Sequence, residues 1–136
     1  MAALTITAAN VRPTAAKQRP KTYEVGEAIT AGQVVYQDST TDKVYLADAG
    51  VAAEVNAIGI AITNAASDGD FVLVVETVGI EPGATLTKGV MYYLGSSPGT
   101  IVPYADLIAG DTVVSLFRAD STSTALMDVN NTGIVL

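Results

Sequence analysis

The sequence contains no histidine, cysteine or tryptophan. Without His and Cys the chain lacks the commonest general base, the thiol nucleophile, the usual zinc ligands and every Ser-His-Asp or Cys-His arrangement. Asp68 and Asp70 form only half of a calcium loop, and Glu76 and Glu81 flank a predicted turn without a partner suited to acid–base chemistry. We therefore predict that the protein is not an enzyme and holds no metal ion or cofactor.

Charged residues are scarce as well, at 15% of the 136 residues, and long apolar runs are missing. The longest strongly apolar stretch is the five residues 71–75, whereas a membrane helix needs roughly 18–20. The N-terminus is rich in Ala and Thr and becomes basic only later, which is the wrong order for a secretory signal. With 49% apolar residues, the composition predicts one soluble, β-rich domain that does not enter a membrane.

The net charge of −7 is unevenly distributed. The first 21 residues contain four bases and no acid, whereas the remaining residues contain three bases and all fourteen acids, a net charge of −11. We predict an extended N-terminal arm, residues 1–22, and a folded body, residues 23–136. The body should repel nucleic acid. For the arm, a solvated tail, docking on an acidic protein and weak nucleic-acid binding all remain open. Its bases are Arg12, Lys17, Arg19 and Lys21.

The body reads as short β-runs separated by turn residues, which predicts nine or ten strands in a small barrel or a sandwich. The Ala-rich stretch 52–66 is assigned a strand at its centre, because large and small residues alternate there. A short helical turn is expected only at 104–109. The other expectations are a hairpin from 34–36 and 43–46, a strand at 71–78 buried on both faces, a turn at 79–83, and separate strands at 124–127 and 133–136.

An internal repeat with an offset of 57 residues runs through the body. Residues 29–36 (ITAGQVVY) align with residues 86–93 (LTKGVMYY), and the match continues through a Ser/Thr loop into a return strand. Each unit places a Gly where a turn delivers the chain into a strand ending in Tyr. The repeat predicts an architecture built from a duplicated hairpin unit.

The same residues carry a family resemblance. The succession of residues 29–36, VYLADA at 44–49, IGIA at 58–61, and DGD at 68–70 followed by an apolar strand resembles the small capsid decoration, or cement, proteins of tailed bacteriophages. The resemblance implies a β-barrel or β-tulip body on the outer surface of the virion capsid, made in the bacterial host cytoplasm. It implies a structural protein that stabilises the shell by bridging neighbouring major capsid subunits.

The resemblance also implies that the arm is the capsid-binding element and that the protein is a homo-oligomer, a trimer in preference to a dimer. We expect residues 5–9 to add a strand to the capsid while the arm's bases face acidic or polar groups. The alternative interpretation is a head- or tail-fibre module that binds a receptor. The expected capsid-binding residues are Thr5, Ile6, Thr7, Arg12, Lys17, Arg19 and Lys21.

Overall fold

The computed structural model describes residues 3–14 and 20–136, and most of the regular structure in them is β. The only helical elements there are three short 3₁₀ turns, Ala8–Asn10, Ala52–Glu54 and Tyr104–Asp106, and none of them is long enough to cross a membrane. The all-β prediction is confirmed. The strands in these ranges are β1 (Val11–Pro13), β2 (Lys21–Glu24), β3 (Val34–Gln37), β4 (Val44–Leu46), β5 (Ala57–Ala61), β6 (Phe71–Val75), β7 (Thr77–Pro82), β8 (Met91–Leu94), β9 (Ile101–Pro103), β10 (Thr112–Ala119) and β11 (Ala125–Val135).

These strands form two antiparallel sheets. The first sheet has the order β2-β6-β5-β3-β4, and the second has the order β1-β7-β11-β10-β8-β9. One of the two sheets curls into half of a barrel. Apart from β1, the two sheets have the same connectivity, because β2 to β6 correspond one by one to β7 to β11. We call residues 21–75 repeat 1 and residues 77–135 repeat 2. The predicted hairpins are β3–β4 and β8–β9, and their strands begin 57 residues apart.

The hydrogen bonds of the two repeats match as closely as the strand order does. Gly32 donates its N–H to the Ala61 carbonyl at 2.7 Å, and Gly89 donates to the Ala119 carbonyl at the same distance. Both glycines have positive φ, +96° and +85°, a region that residues with a Cβ rarely adopt. The Gly shared by the two sequence units therefore has one role in both, which is to turn the chain into the strand that follows.

One apolar core joins the two repeats. Its buried members come from both sheets and include Val34 and Ile60 from the first and Leu116 and Phe117 from the second. A smaller cluster is formed entirely within repeat 1. Tyr92 belongs to the shared core, and its ring lies 5.4 Å from that of Phe117, centroid to centroid. Core packing thus holds the repeats together as one body.

Three boundaries predicted from the sequence are wrong. The apolar run 71–78 is not one strand buried on both faces, since the chain leaves the first sheet at Glu76 and enters the second, with Phe71 and Val78 61% and 53% exposed. The turn predicted at 79–83 begins only at Gly83, because Pro82 still lies in β7. The two C-terminal strands are one strand, β11, whose intervening polar residues are mostly exposed.

Candidate functional site

The N-terminal segment, which we define as residues 3–14, lies along the body and is fixed by backbone hydrogen bonds to repeat 2. Leu4 donates its N–H to the Ile101 carbonyl at 2.9 Å, and Thr7 donates to the Gly83 carbonyl at 2.8 Å. The strand β1 then pairs with β7, with Arg12 opposite Glu81. The segment therefore contacts the strands at both ends of the second sheet, β9 through Leu4 and β7 through β1.

Apolar side chains of the segment pack inward. Leu4 and Ile6 are partly buried against the core that both sheets share, and Val11 is only 7% exposed. Ile6 also covers the Gly32 turn so closely that a Cβ on Gly32 would lie 2.4 Å from the Ile6 Cγ2. The segment thus bridges the two repeats, with its backbone bonded to repeat 2 and Ile6 seated on repeat 1.

The predicted capsid-binding residues fall into different environments. Thr5 and Thr7 are exposed and line a shallow depression of about 310 Å³ with Gly83 and Ser123, whereas Ile6 is half-buried. Residues 8–10 form a 3₁₀ turn instead of continuing an extended strand. Addition of residues 5–9 to a capsid sheet as one extended strand therefore requires the 3₁₀ turn to open.

The predicted bases do not form one cluster within the described residues. The Arg12 Nε lies 3.0 Å from a carboxylate oxygen of Glu81, and this side chain remains 59% exposed. Lys21 is the first residue of β2, opposite Val74, which places it within the first sheet and not in a free tail. Its Nζ lies 5.8 Å from the centroid of the Tyr23 ring. Lys17 and Arg19 lie outside the described residues.

The acids considered at the sequence level have partners. Glu81 binds Arg12, and Glu76 accepts a hydrogen bond from the Tyr23 hydroxyl at 3.1 Å, two partners that were not evident from the sequence. Burial, followed by the Glu76 charge, raises the pKa of Tyr23. Asp68 lies 2.7 Å from the Lys43 Nζ. Among the described residues no three acidic groups converge as metal ligands would.

Sequence reasoning missed the packing role of Leu4 and Val11. The signal was present as an alternation: Leu4 and Ile6 are apolar, and Thr5 and Thr7 between them are polar, the period-2 pattern of a chain with one buried face. The four bases and the two prolines of residues 1–22 favoured an interpretation of the arm as one extended unit, and this obscured the local pattern. The segment can therefore present one face to a partner while the other holds it on the body.

Comparison with known proteins decides the family. The model of the phage cement protein family matches residues 7–76, slightly more than half of the chain. The chain belongs to the phage cement protein family. The match begins within the N-terminal segment and continues to the end of β6, so it includes all of repeat 1. A search of curated proteins gives no match.

Membership of the cement protein family assigns this protein a structural role at a bacteriophage capsid. The virion capsid is therefore its location, and capsid association is the interaction that its surfaces serve. The resemblance seen in the sequence is confirmed.

Proposed function

We propose that this cement protein binds the outer surface of the capsid and bridges neighbouring major capsid subunits, so that the shell resists the pressure of packaged DNA. The match to the cement family carries the proposal. The architecture supports it, because a chain that links subunits must transmit force, and here one core and one bridging segment connect both repeats. Such a role requires stable contacts between proteins and does not require a catalytic site.

The proposed capsid contact includes the exposed positions of residues 1–22. Thr5, Arg12 and Lys21 are exposed in the structure, and the bases offer long-range attraction to an acidic shell surface. Lys17 and Arg19 belong to the same proposal on sequence grounds. A homo-oligomer, with a trimer preferred, would multiply this contact by the number of copies.

Deletion of the whole arm is a poor test of that contact. Because Leu4, Ile6 and Val11 pack on the body, truncation should lower stability as well as any capsid affinity. Substitution of Arg12 and Lys21 by Gln changes the charge and leaves these packed side chains in place. If the arm contacts the capsid, this double variant should melt close to the unmodified protein and bind undecorated capsids more weakly at low salt.

The function itself is tested with purified protein and undecorated, DNA-filled capsids. We expect the protein to co-sediment with the capsids and to raise the temperature at which they release DNA. Binding without any change in DNA release would contradict the shell-stabilising role. Binding to host cells in place of capsids would support the alternative, a fibre or receptor-binding module.

A further inference from the structure

The two repeats differ in how one equivalent surface is covered. In each repeat a row of three side chains crosses three successive strands of the sheet, β3, β5 and β6 in repeat 1 and β8, β10 and β11 in repeat 2. The strand pairings make the positions in the two rows equivalent. In repeat 1 all three are buried, with exposed fractions of 1% or less. In repeat 2 the first side chain of the row is half-buried and the other two are exposed, the last of them to 53%. The rows are Val34, Ile60 and Val75 in repeat 1, and Met91, Arg118 and Leu126 in repeat 2.

The glycine turns beside these rows show the same difference. A Cβ placed on Gly32 meets Ile6 of the N-terminal segment, whereas a Cβ placed on Gly89 meets no atom within 4 Å. Repeat 1 therefore has its turn covered by an aliphatic side chain from an extended segment of the same protein. The equivalent turn of repeat 2 is open.

The open surface also carries an unusual charge. Lys88 and Arg118 line a groove of about 290 Å³ together with Gly89 and the exposed Leu126. These are two of only three bases in residues 23–136. The third, Lys43, lies between Glu24 and Asp68 at 3.4 and 2.7 Å, and both carboxylates raise its pKa, chiefly through the bond to Asp68. Lys88 and Arg118 form no ion pair with any described residue.

One acid lines the groove as well. Asp120 accepts a hydrogen bond from the Thr124 hydroxyl, and the backbone N–H of Asp120 is bonded to the Thr124 carbonyl. The carboxylate is thus held by its own hairpin loop. The groove keeps an excess of one positive charge on a body whose net charge is −11.

We propose that this groove binds an extended acidic segment of the capsid shell protein. In this arrangement an aliphatic side chain of the segment covers Leu126 and the Gly89 turn, as Ile6 covers the Gly32 turn in repeat 1. Carboxylates on either side of it pair with Lys88 and Arg118, where an Arg–carboxylate pair can form two hydrogen bonds. The inference rests on the proposed function, since it takes the capsid as the partner.

Charge and shape favour such a segment over other partners. A nucleic acid would meet two bases on a strongly acidic body, too few to offset the repulsion, and phosphates gain nothing from an exposed leucine. A carboxylate beside an aliphatic side chain uses both properties of the groove. Such contacts give specificity through the pairing of charges and affinity through the burial of apolar surface.

The test compares matched charge variants in a capsid-binding assay. Lys88→Gln and Arg118→Gln, singly and together, are measured against undecorated capsids at low and high salt. Lys43→Gln is the control for the single variants, because it removes one positive charge from a loop of repeat 1 that does not line the groove. We expect the double variant to bind about 10-fold or more weakly at low salt, with a smaller difference at high salt, and the control to bind within about 2-fold of the unmodified protein. Asp120→Asn should tighten binding, since it removes the one acid of the groove.

Each outcome separates the two proposals. If the unmodified protein binds capsids and the double variant binds equally well with the same salt dependence, the groove is not the contact and the capsid function stands. If the unmodified protein does not bind capsids, the proposed function fails, and this inference fails with it. If the double variant keeps its capsid affinity but changes its sedimentation coefficient in the absence of capsids, the groove binds a second copy, which overturns the inference.

Discussion

Alanine at the two equivalent glycines should destabilise the protein unequally. Gly32 and Gly89 occupy the same turn in the two repeats, with similar positive φ, so Ala at either position pays the same conformational penalty of about 1–2 kcal/mol. Only at Gly32 does the added methyl group meet another side chain, since Ile6 Cγ2 lies 2.4 Å from the Cβ position. The difference between the two variants therefore measures the packing of the N-terminal segment on repeat 1.

The expected magnitudes follow from that geometry. Crowding of one methyl group against a packed side chain costs about 1–3 kcal/mol beyond the backbone penalty. Gly32→Ala should then lower the free energy of unfolding by about 2–5 kcal/mol and Gly89→Ala by about 1–2 kcal/mol. For a chain of this length the gap corresponds to a difference in Tm of roughly 3–12 °C.

A double-mutant cycle in urea identifies the cause of the gap. Ile6→Ala removes Cγ2, so Gly32→Ala should cost less in that background, whereas Gly89→Ala should cost the same in both. Equal losses for the two glycine variants, or a gap that Ile6→Ala leaves unchanged, would refute the packing of the segment on the body. If Ile6→Ala reduces the cost of Gly32→Ala and leaves the cost of Gly89→Ala unchanged, the packing of the segment on the body is supported.

Three further predictions concern single side chains. Val78 has a φ of +68°, so Val78→Gly should relieve backbone strain and raise stability by about 0.5–1 kcal/mol in urea unfolding, and a fall in stability would contradict that strain. Arg12→Gln should cost less than about 1 kcal/mol, because the pair with Glu81 is largely exposed, and a larger loss in thermal unfolding would show that the pair matters more than its exposure suggests. Burial, and then the charge of Asp48, raises the pKa of Glu54 above its ordinary 4.5. The ionised carboxylate therefore disfavours folding above that pH, so Glu54→Gln should raise Tm near neutral pH and lose its advantage at about pH 4, whereas an equal gain at both values would exclude this cause.

The repeat was the most informative feature of the sequence. Residues 29–36 and 86–93 share a Thr two positions before the Gly, the Gly itself and the terminal Tyr. These local requirements fix the turn and the hairpin in both repeats. The same comparison did not show which copy would be covered. That depends on Ile6, which reaches Gly32 only through the tertiary fold.

The errors at strand boundaries have a similar origin. The run 71–78 is continuously apolar up to Glu76, so its residues alone do not reveal that the chain changes sheets there. Val78 has a backbone conformation that β-branched residues avoid, and no propensity argument would place it so. Likewise, the polar residues within β11 read as a break in the sequence, because the pairing with β10 that keeps them in one strand is a tertiary property.

The most direct test of the proposed function is electron cryomicroscopy of capsids with and without the purified protein. We predict additional density on the outer capsid surface, of the size of the two-sheet body, that contacts at least two neighbouring major capsid subunits. Density that touches a single subunit, or that lies on the tail or a fibre, would contradict the bridging role.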